Sequence, residues 1–283
     1  PTPLINRAEE LAHLDLALAR ATASQPTTVL FGGEAGVGKS RLVREFGDRA
    51  GGAGARVLWG GCVDLGAGDL PYAPLVDALR ALTRELGAER VRDLLGAAAP
   101  AVARLTPFLG GPLDLPTTDN DARARMFEGL LRMFDRLGES GPVVLIFEDL
   151  HWADSATLDL LTFVVRSLTR ERLLVLGTFR STDLRPGHPL RSTLVEFDRA
   201  RRADRWELRG LRIDELGDFV AALLSGDRPP ALVQDLFELT DGNPFFVEEL
   251  VAAGQWSASR VVPQPLRDVV IAQVEITTEA AQA

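Results

Sequence analysis

Cysteine occurs once in the 283 residues, at Cys62, so no internal disulfide can form. Such usage suits a reducing cytoplasm. Lysine is scarce and the formal net charge is −9. Without an overall basic footprint, the chain is a poor candidate for binding nucleic acid by itself. No run approaches the roughly eighteen apolar residues that a membrane-spanning helix needs. The opening PTPLINRAEEL lacks the charged-then-apolar pattern of a signal peptide. Histidine is rare, and neither His13 nor His188 shares metal-ligand spacing with Cys62, which removes a zinc site from consideration. Internal repeats and low-complexity tracts are missing too. What remains is 46% hydrophobic and 25% charged, a globular composition. The length suffices for one large or two small domains.

Periodicity divides the chain. Residues 7–23 predict an amphipathic helix with Leu11, Leu14 and Leu18 on one face. TTVLFG (27–32) and ARVLWGGC (55–62) predict strands. A helix from Lys39, with Leu42, Val43 and Phe46 facing inward, separates them. Residues 72–105 read as helical with breaks at Gly87, Gly96 and Pro100. Residues 110–121 read as a loop, after which Asp119 or Asn120 caps a helix through Met126, Leu130, Phe134 and Leu137. PVVLIFED (142–149) is the strongest strand signal. A helix over 155–168, a strand over 172–180, a helix near 190–200 and a strand over 205–210 follow. This alternation predicts a parallel sheet covered by helices on both faces. Beyond Leu211 the pattern is helical only, at about 212–224, 229–239, 244–253 and 264–276, and a domain boundary is expected near 210.

Gly33-Glu34-Ala35-Gly36-Val37-Gly38-Lys39-Ser40 satisfies G-x-x-x-x-G-K-[ST] at every fixed position, between a predicted strand and a predicted helix. Glycines let the backbone curl so that successive N–H groups face one concavity, and the helix N-terminus adds positive potential there. Lys39 is the candidate for reaching the β- and γ-phosphates of a nucleotide, and Ser40 for placing its hydroxyl on Mg²⁺. Arg41 completes the candidate nucleotide-binding stretch. A phosphate loop needs an acidic partner, and Glu148 and Asp149 emerge at the C-terminal end of an apolar strand, the edge where open parallel sheets bind ligands. Glu148 is the candidate for the metal, through its water shell, and Asp149 for polarising the attacking water.

GGEAGVGKSRLV, LPYAPLVDALRAL, FEDLHWADSATLDLL, VLGTFRSTDL and TDGNPFFVEELV occur in this order. Together they resemble the ATPase domain of the large ATP-binding LuxR-type transcriptional regulators, STAND-class P-loop NTPases related to AAA+ proteins. Similar domains occur in some multidomain adenylate cyclases and serine/threonine kinases. The resemblance runs from about Asn6 to Val274. It implies an α/β P-loop NTPase core of ASCE/AAA+ type, five parallel strands in order 5-1-4-3-2, then a C-terminal helical subdomain and a winged helix. It implies ATP or ADP with Mg²⁺, and a switch whose nucleotide state controls self-association and output. Within it Arg180 matches the sensor arginine, Pro244 the proline packed near adenine, and Arg7 the N-terminal segment over the base. That segment usually reads G-R-E, whereas here it is Asn6-Arg7-Ala8, and STAND proteins often carry Asp at the place of Glu148.

The expected divisions are a nucleotide-binding core over 1–210, a helical lid over 211–262 and the start of a truncated winged helix over 263–283. TTEAAQA ends the chain before that module is built, so a fragment of a longer protein or a stand-alone NTPase core is expected, without direct DNA or membrane binding. Trp152 reads as packing beside the site, Asp154 as a helix cap, and Arg123 and Arg125 as a solvated helix face. The cluster Arg199, Arg201, Arg202 and Arg205 is too short to imply DNA binding, and Cys62 reads as a small core residue. Three functions stay open: a slowly hydrolysing ATP switch, a module that retains ADP, and a platform that docks other domains.

Overall fold

A computed structural model describes residues 4–63, 71–110, 119–224, 226 and 229–252. The expected winged-helix region at 263–283 lies outside the described residues, as do most of the 110–121 loop and the side chains of Asp119 and Asn120.

The alternation read from the sequence is realised. Helix α1 (Ala8–Thr22) leads to β1 (Thr27–Gly32), α2 (Lys39–Gly52) and β2 (Arg56–Gly61). Helices α3 (Ala73–Leu86), α4 (Ala88–Leu95), α5 (Ala99–Ala103) and α6 (Asp119–Gly138) separate β2 from β3 (Val143–Glu148). Then come α7 (Ser155–Ser167), β4 (Leu173–Thr178), α8 (Pro189–Ala200) and β5 (Asp204–Glu207). Three helices follow: α9 (Ile213–Leu223), α10 (Pro230–Thr240) and α11 (Pro244–Ala252).

All strand pairs are parallel, in the order β2-β3-β4-β1-β5. Read from the other edge this is 5-1-4-3-2, the expected order. Strands β3 and β4 are central, and their apolar runs are buried on both faces, as parallel sheets require. The register pairs Gly61 with Glu148, Phe31 with Thr178, and Gly32 with Glu207, so these strands finish level at one edge.

Two details differ from the sequence reading. Pro100 does not break a helix; it sits in the first turn of α5, where its missing N–H costs nothing, and the interruption is a 3₁₀ turn at Gly96–Ala98. Strand β5 stops at Glu207 instead of 210, because its neighbour β1 ends at Gly32, opposite Glu207.

The chain forms two compact units. One comprises Glu9–Gly33 and Lys39–Glu207. Its core includes Leu145, Phe147 and Val175 of the sheet with Met133, Phe134, Leu161 and Val164 of α6 and α7. Burying each such side chain is worth about 1.5–3 kcal/mol. Gly60 permits the close approach of β2 and α3: a Cβ there would lie 2.0 Å from the Pro74 carbonyl oxygen. The other unit groups the described residues of Pro1–Ala8, Glu34–Gly38 and Leu208–Ala283. Leu216, Phe219 and Val220 of α9 pack with Leu236 of α10 and Val247 of α11 at its centre.

Candidate nucleotide site

Strand β1 ends at Gly32, and α2 begins at Lys39. Between them Gly36 and Gly38 adopt φ of 79° and 100°, which side chains resist and a tight phosphate loop requires. The Lys39 side chain turns back into the loop, and its Nζ donates to the Gly33 carbonyl at 2.7 Å. The residue is only 6% exposed. Burial lowers its pKa to about 8; Arg180 pushes the same way, while Asp149, Glu207 and Asp183 oppose. Ser40 and Arg41 are half-buried on the first turn of α2.

The acidic pair divides by position. Glu148 is the last residue of β3, half-buried, and borders a pocket with Trp59, Asp77, Arg80 and Arg84. Asp149 takes a left-handed conformation (φ 56°), and its N–H donates to Thr178 Oγ1 at 3.0 Å. Asp149 is the strongest acidic influence on Lys39, and Glu148 is not among the groups that shift it. Thr178 is completely buried at the end of β4.

His151, two residues further, is buried. Its Nδ1 accepts the N–H of Arg180 at 3.3 Å, so the proton of the neutral ring belongs on Nε2. That Nε2 has no hydrogen-bond partner among the described residues and lies 3.6 Å from Asp183 Oδ2. Nδ1 is 3.9 Å from Asp149 Oδ1. Burial drives the pKa of His151 down to about 4, with Asp149 opposing. His188 holds the segment from the other side: its Nδ1 accepts from Leu190 N–H, so Nε2 donates to the His151 carbonyl at 3.0 Å. The Arg180 guanidinium lies 4.9 Å from the Trp152 ring centroid and 3.8 Å from Asp183 Oδ2. Trp152 is thus a platform for Arg180, a role beyond packing. Asp154 caps α7 as expected, accepting from Thr157 N–H at 2.9 Å, and also takes the N–H of Tyr72 at 3.3 Å.

Residues Glu34–Gly38 belong to the second unit. Glu34 is exposed, and the carbonyls after it are held. Asn243 Nδ2 donates to the Ala35 carbonyl at 2.8 Å, and the Phe245 N–H to that of Gly36 at 3.3 Å. Arg7 is buried, and its guanidinium donates to the carbonyls of Val37 at 3.2 Å and Arg209 at 2.6 Å. Arg7, from the segment expected over the base, thus bonds one loop carbonyl, that of Val37, and one outside the loop, that of Arg209. Pro244 is half-buried at the first position of α11.

Sequence reasoning thus named the loop, the acids and Arg180. It missed Thr178, His151 and Asp183 as their immediate neighbours, and the bond from Asn243 to the loop. A polar residue closing an otherwise apolar strand, as Thr178 does in LLVLGT, was the available signal.

The model of the AAA ATPase domain family matches residues 3–176. An uncharacterised protein of Rhizobium meliloti (strain 1021) is 30% identical over 290 aligned positions, covering 94% of this chain. The chain spans only 26% of that relative. Among solved structures, the Walker-type ATPase of Pyrococcus abyssi is similar with a TM-score of 0.60 at 18% identity, over 99% of this chain and 75% of that one. Cdc6p of Pyrobaculum aerophilum gives 0.53 at 13% identity, over 89% and 62%. These likenesses concern the fold. With its family model covering more than half of its length, the chain belongs to the AAA ATPase domain family.

Proposed function

We propose that this chain is the ATP-binding, slowly hydrolysing switch module of a longer LuxR-type signalling regulator, in which nucleotide state controls self-association and output. The observation that carries the reading is the buried Lys39 side chain, turned back onto the Gly33 carbonyl at the carboxyl edge of the sheet, with Asp149 and Arg180 near enough to act on its charge. A buried ammonium is costly unless negative charge meets it, and phosphate supplies more than one carboxylate can. The five motif blocks and their order support the LuxR-type assignment.

In this reading the loop N–H groups and Lys39 bind the phosphates, with Gly33 through Arg41 as the binding stretch. Ser40 and Glu148 offer a hydroxyl and a carboxylate, hard oxygen donors suited to Mg²⁺. Among the described residues there is no group of three or more His, Cys, Asp or Glu that could hold a metal ion. Mg²⁺ held by Ser40 and Glu148 would neutralise phosphate charge. Asp149 orients a water against the γ-phosphorus and takes its proton as the bond to the β–γ bridging oxygen breaks. Arg180 binds the γ-phosphate and, after its release, returns to Asp183 and Trp152. Pro244 packs near the adenine.

The test is the nucleotide that co-purifies with the chain, followed by phosphate release from added Mg-ATP. Bound nucleotide and slow release, both lost in Lys39→Ala, are expected. Tight Mg-ATP binding by Lys39→Ala would refute the assignment. Retained ADP without release would assign the alternative, an ADP-locked module. Gel filtration with ATP, with ADP and with neither tests the switch: an unchanging oligomeric state leaves a plain docking platform.

A further inference from the structure

Three consecutive carbonyls of the glycine loop, those of Ala35, Gly36 and Val37, each accept a hydrogen bond from outside the loop. The donors are Asn243 Nδ2, the Phe245 N–H and the Arg7 guanidinium. In a trans peptide the C=O and the following N–H point in opposite directions. No described peptide bond is cis. Fixing these three carbonyls therefore fixes the directions of the N–H groups of Gly36, Val37 and Gly38, the groups that a phosphate would meet.

The holders are themselves fixed. Asn243 is 6% exposed, and its Oδ1 accepts the Phe245 N–H at 3.2 Å while its own N–H donates to the Thr240 carbonyl at 2.9 Å. Gly242 beside it donates no freedom: a Cβ there would lie 1.9 Å from the Leu211 carbonyl oxygen, and Leu211 N–H bonds the Gly242 carbonyl at 2.8 Å. The loop side is equally close. A Cβ on Gly36 would fall 2.8 Å from Asn243 Oδ1 and from Phe245 Cβ.

We propose that Asn243 is a positioning residue for phosphate binding: with the Phe245 N–H and Arg7 it clasps the outer carbonyls of the loop and so aims the N–H groups inward. The inference rests on the reading of residues 33–40 as a phosphate loop. It gives the Asn-Pro-Phe stretch a role in preorganising the loop, separate from any contact with the base.

Asn243 works in two directions, as acceptor in the cap of α11 and as donor to the loop, and Asn243→Asp separates them. The carboxylate still accepts from Phe245, since Asp and Asn cap equally well. It has no donor for Ala35 and sets negative charge against that carbonyl. The expected results are amide hydrogen exchange at residues 36–38 about tenfold faster without nucleotide, binding of a fluorescent Mg-ATP analogue about tenfold weaker, and a lowered thermal midpoint, because the buried carboxylate faces an oxygen. Parent-like exchange in Asn243→Asp would overturn the clasp. If that variant fails to fold, Arg7→Ala decides the matter, because it removes the one nitrogen, Nη2, that bonds the carbonyls of both Val37 and Arg209. Parent-like exchange there would also overturn it. Lys39→Ala is the control: failure of the parent itself to bind the analogue refutes the phosphate reading, while the exchange rates still judge the clasp.

Discussion

The backbone N–H of Asp149 donates to the hydroxyl of Thr178 at 3.0 Å, so the turn after β3 is tied to the last residue of β4. Asp149 holds a left-handed conformation, which aspartate adopts more readily than most side chains, and Thr178 anchors it from a fully buried position.

Replacing Thr178 with Val keeps the shape and leaves that N–H unpaired. The expected loss of stability is about 1–2 kcal/mol, read from denaturant unfolding. Phosphate release should fall further than nucleotide affinity, because Asp149 loses its aim while Lys39 and the loop remain. Equal rates in parent and variant would detach Thr178 from the acid's orientation.

The two acids should separate in kinetics. Asp149→Asn is expected to lower phosphate release at least about a hundredfold, the scale of a lost general base, with smaller effect on binding. Glu148→Gln should act mainly on the Mg²⁺ concentration needed for half-maximal activity. Identical profiles for the two variants would contradict the division of roles.

Lys39 is the only lysine in the sequence, and its pKa is lowered to about 8 from 10.5. Amine-directed acylation should therefore mark only Lys39 and the terminal amine. The Lys39 reaction should rise through a midpoint near pH 8, and Mg-ATP should slow it. Linkage has a definite sign here: between pH 8 and 10.5 the unfolded chain binds the additional proton, so this group's contribution to stability rises with pH across that window. Lys39→Met should flatten the rise. A labelling midpoint near 10.5 would show an ordinary amine.

His151 titrates on the opposite side of neutrality. With a folded pKa of about 4 against 6.5, the unfolded chain takes up the proton first, and stability should fall as pH drops from 6.5 towards 4. The ring should remain neutral at pH 6 by NMR, with its proton on Nε2. His151→Phe should remove this part of the pH dependence while freeing the Arg180 N–H. A ring charged at pH 6 would contradict the buried environment.

The fold was legible because its signals are local. PVVLIFED announces a central strand by composition alone, and Gly33–Ser40 announces the loop by spacing. The strand order came from resemblance, since no local pattern states which strand pairs with which. The contacts that organise the site were illegible for the same reason. Asp149 meets Thr178 across 29 positions, and Asn243 meets Ala35 across 208. Arg7 bonds carbonyls 30 and 202 positions away, partners that its neighbours in the sequence do not state. Pro100 shows the limit of punctuation, since a proline that breaks a helix interior also opens a new one.

Residues Glu34–Gly38 are spliced into the chain of the sheet unit but pack with the other. A truncation at Glu207, the natural cut for isolating a small nucleotide-binding fragment, would keep every residue of the glycine motif and discard Asn243, Phe245 and the Arg209 carbonyl that steadies Arg7. The hydrogen-bonded surroundings of the glycine loop are therefore discontinuous in sequence. A chimera that borrows the motif from this protein must import residues 4–8 and 208–252 along with it.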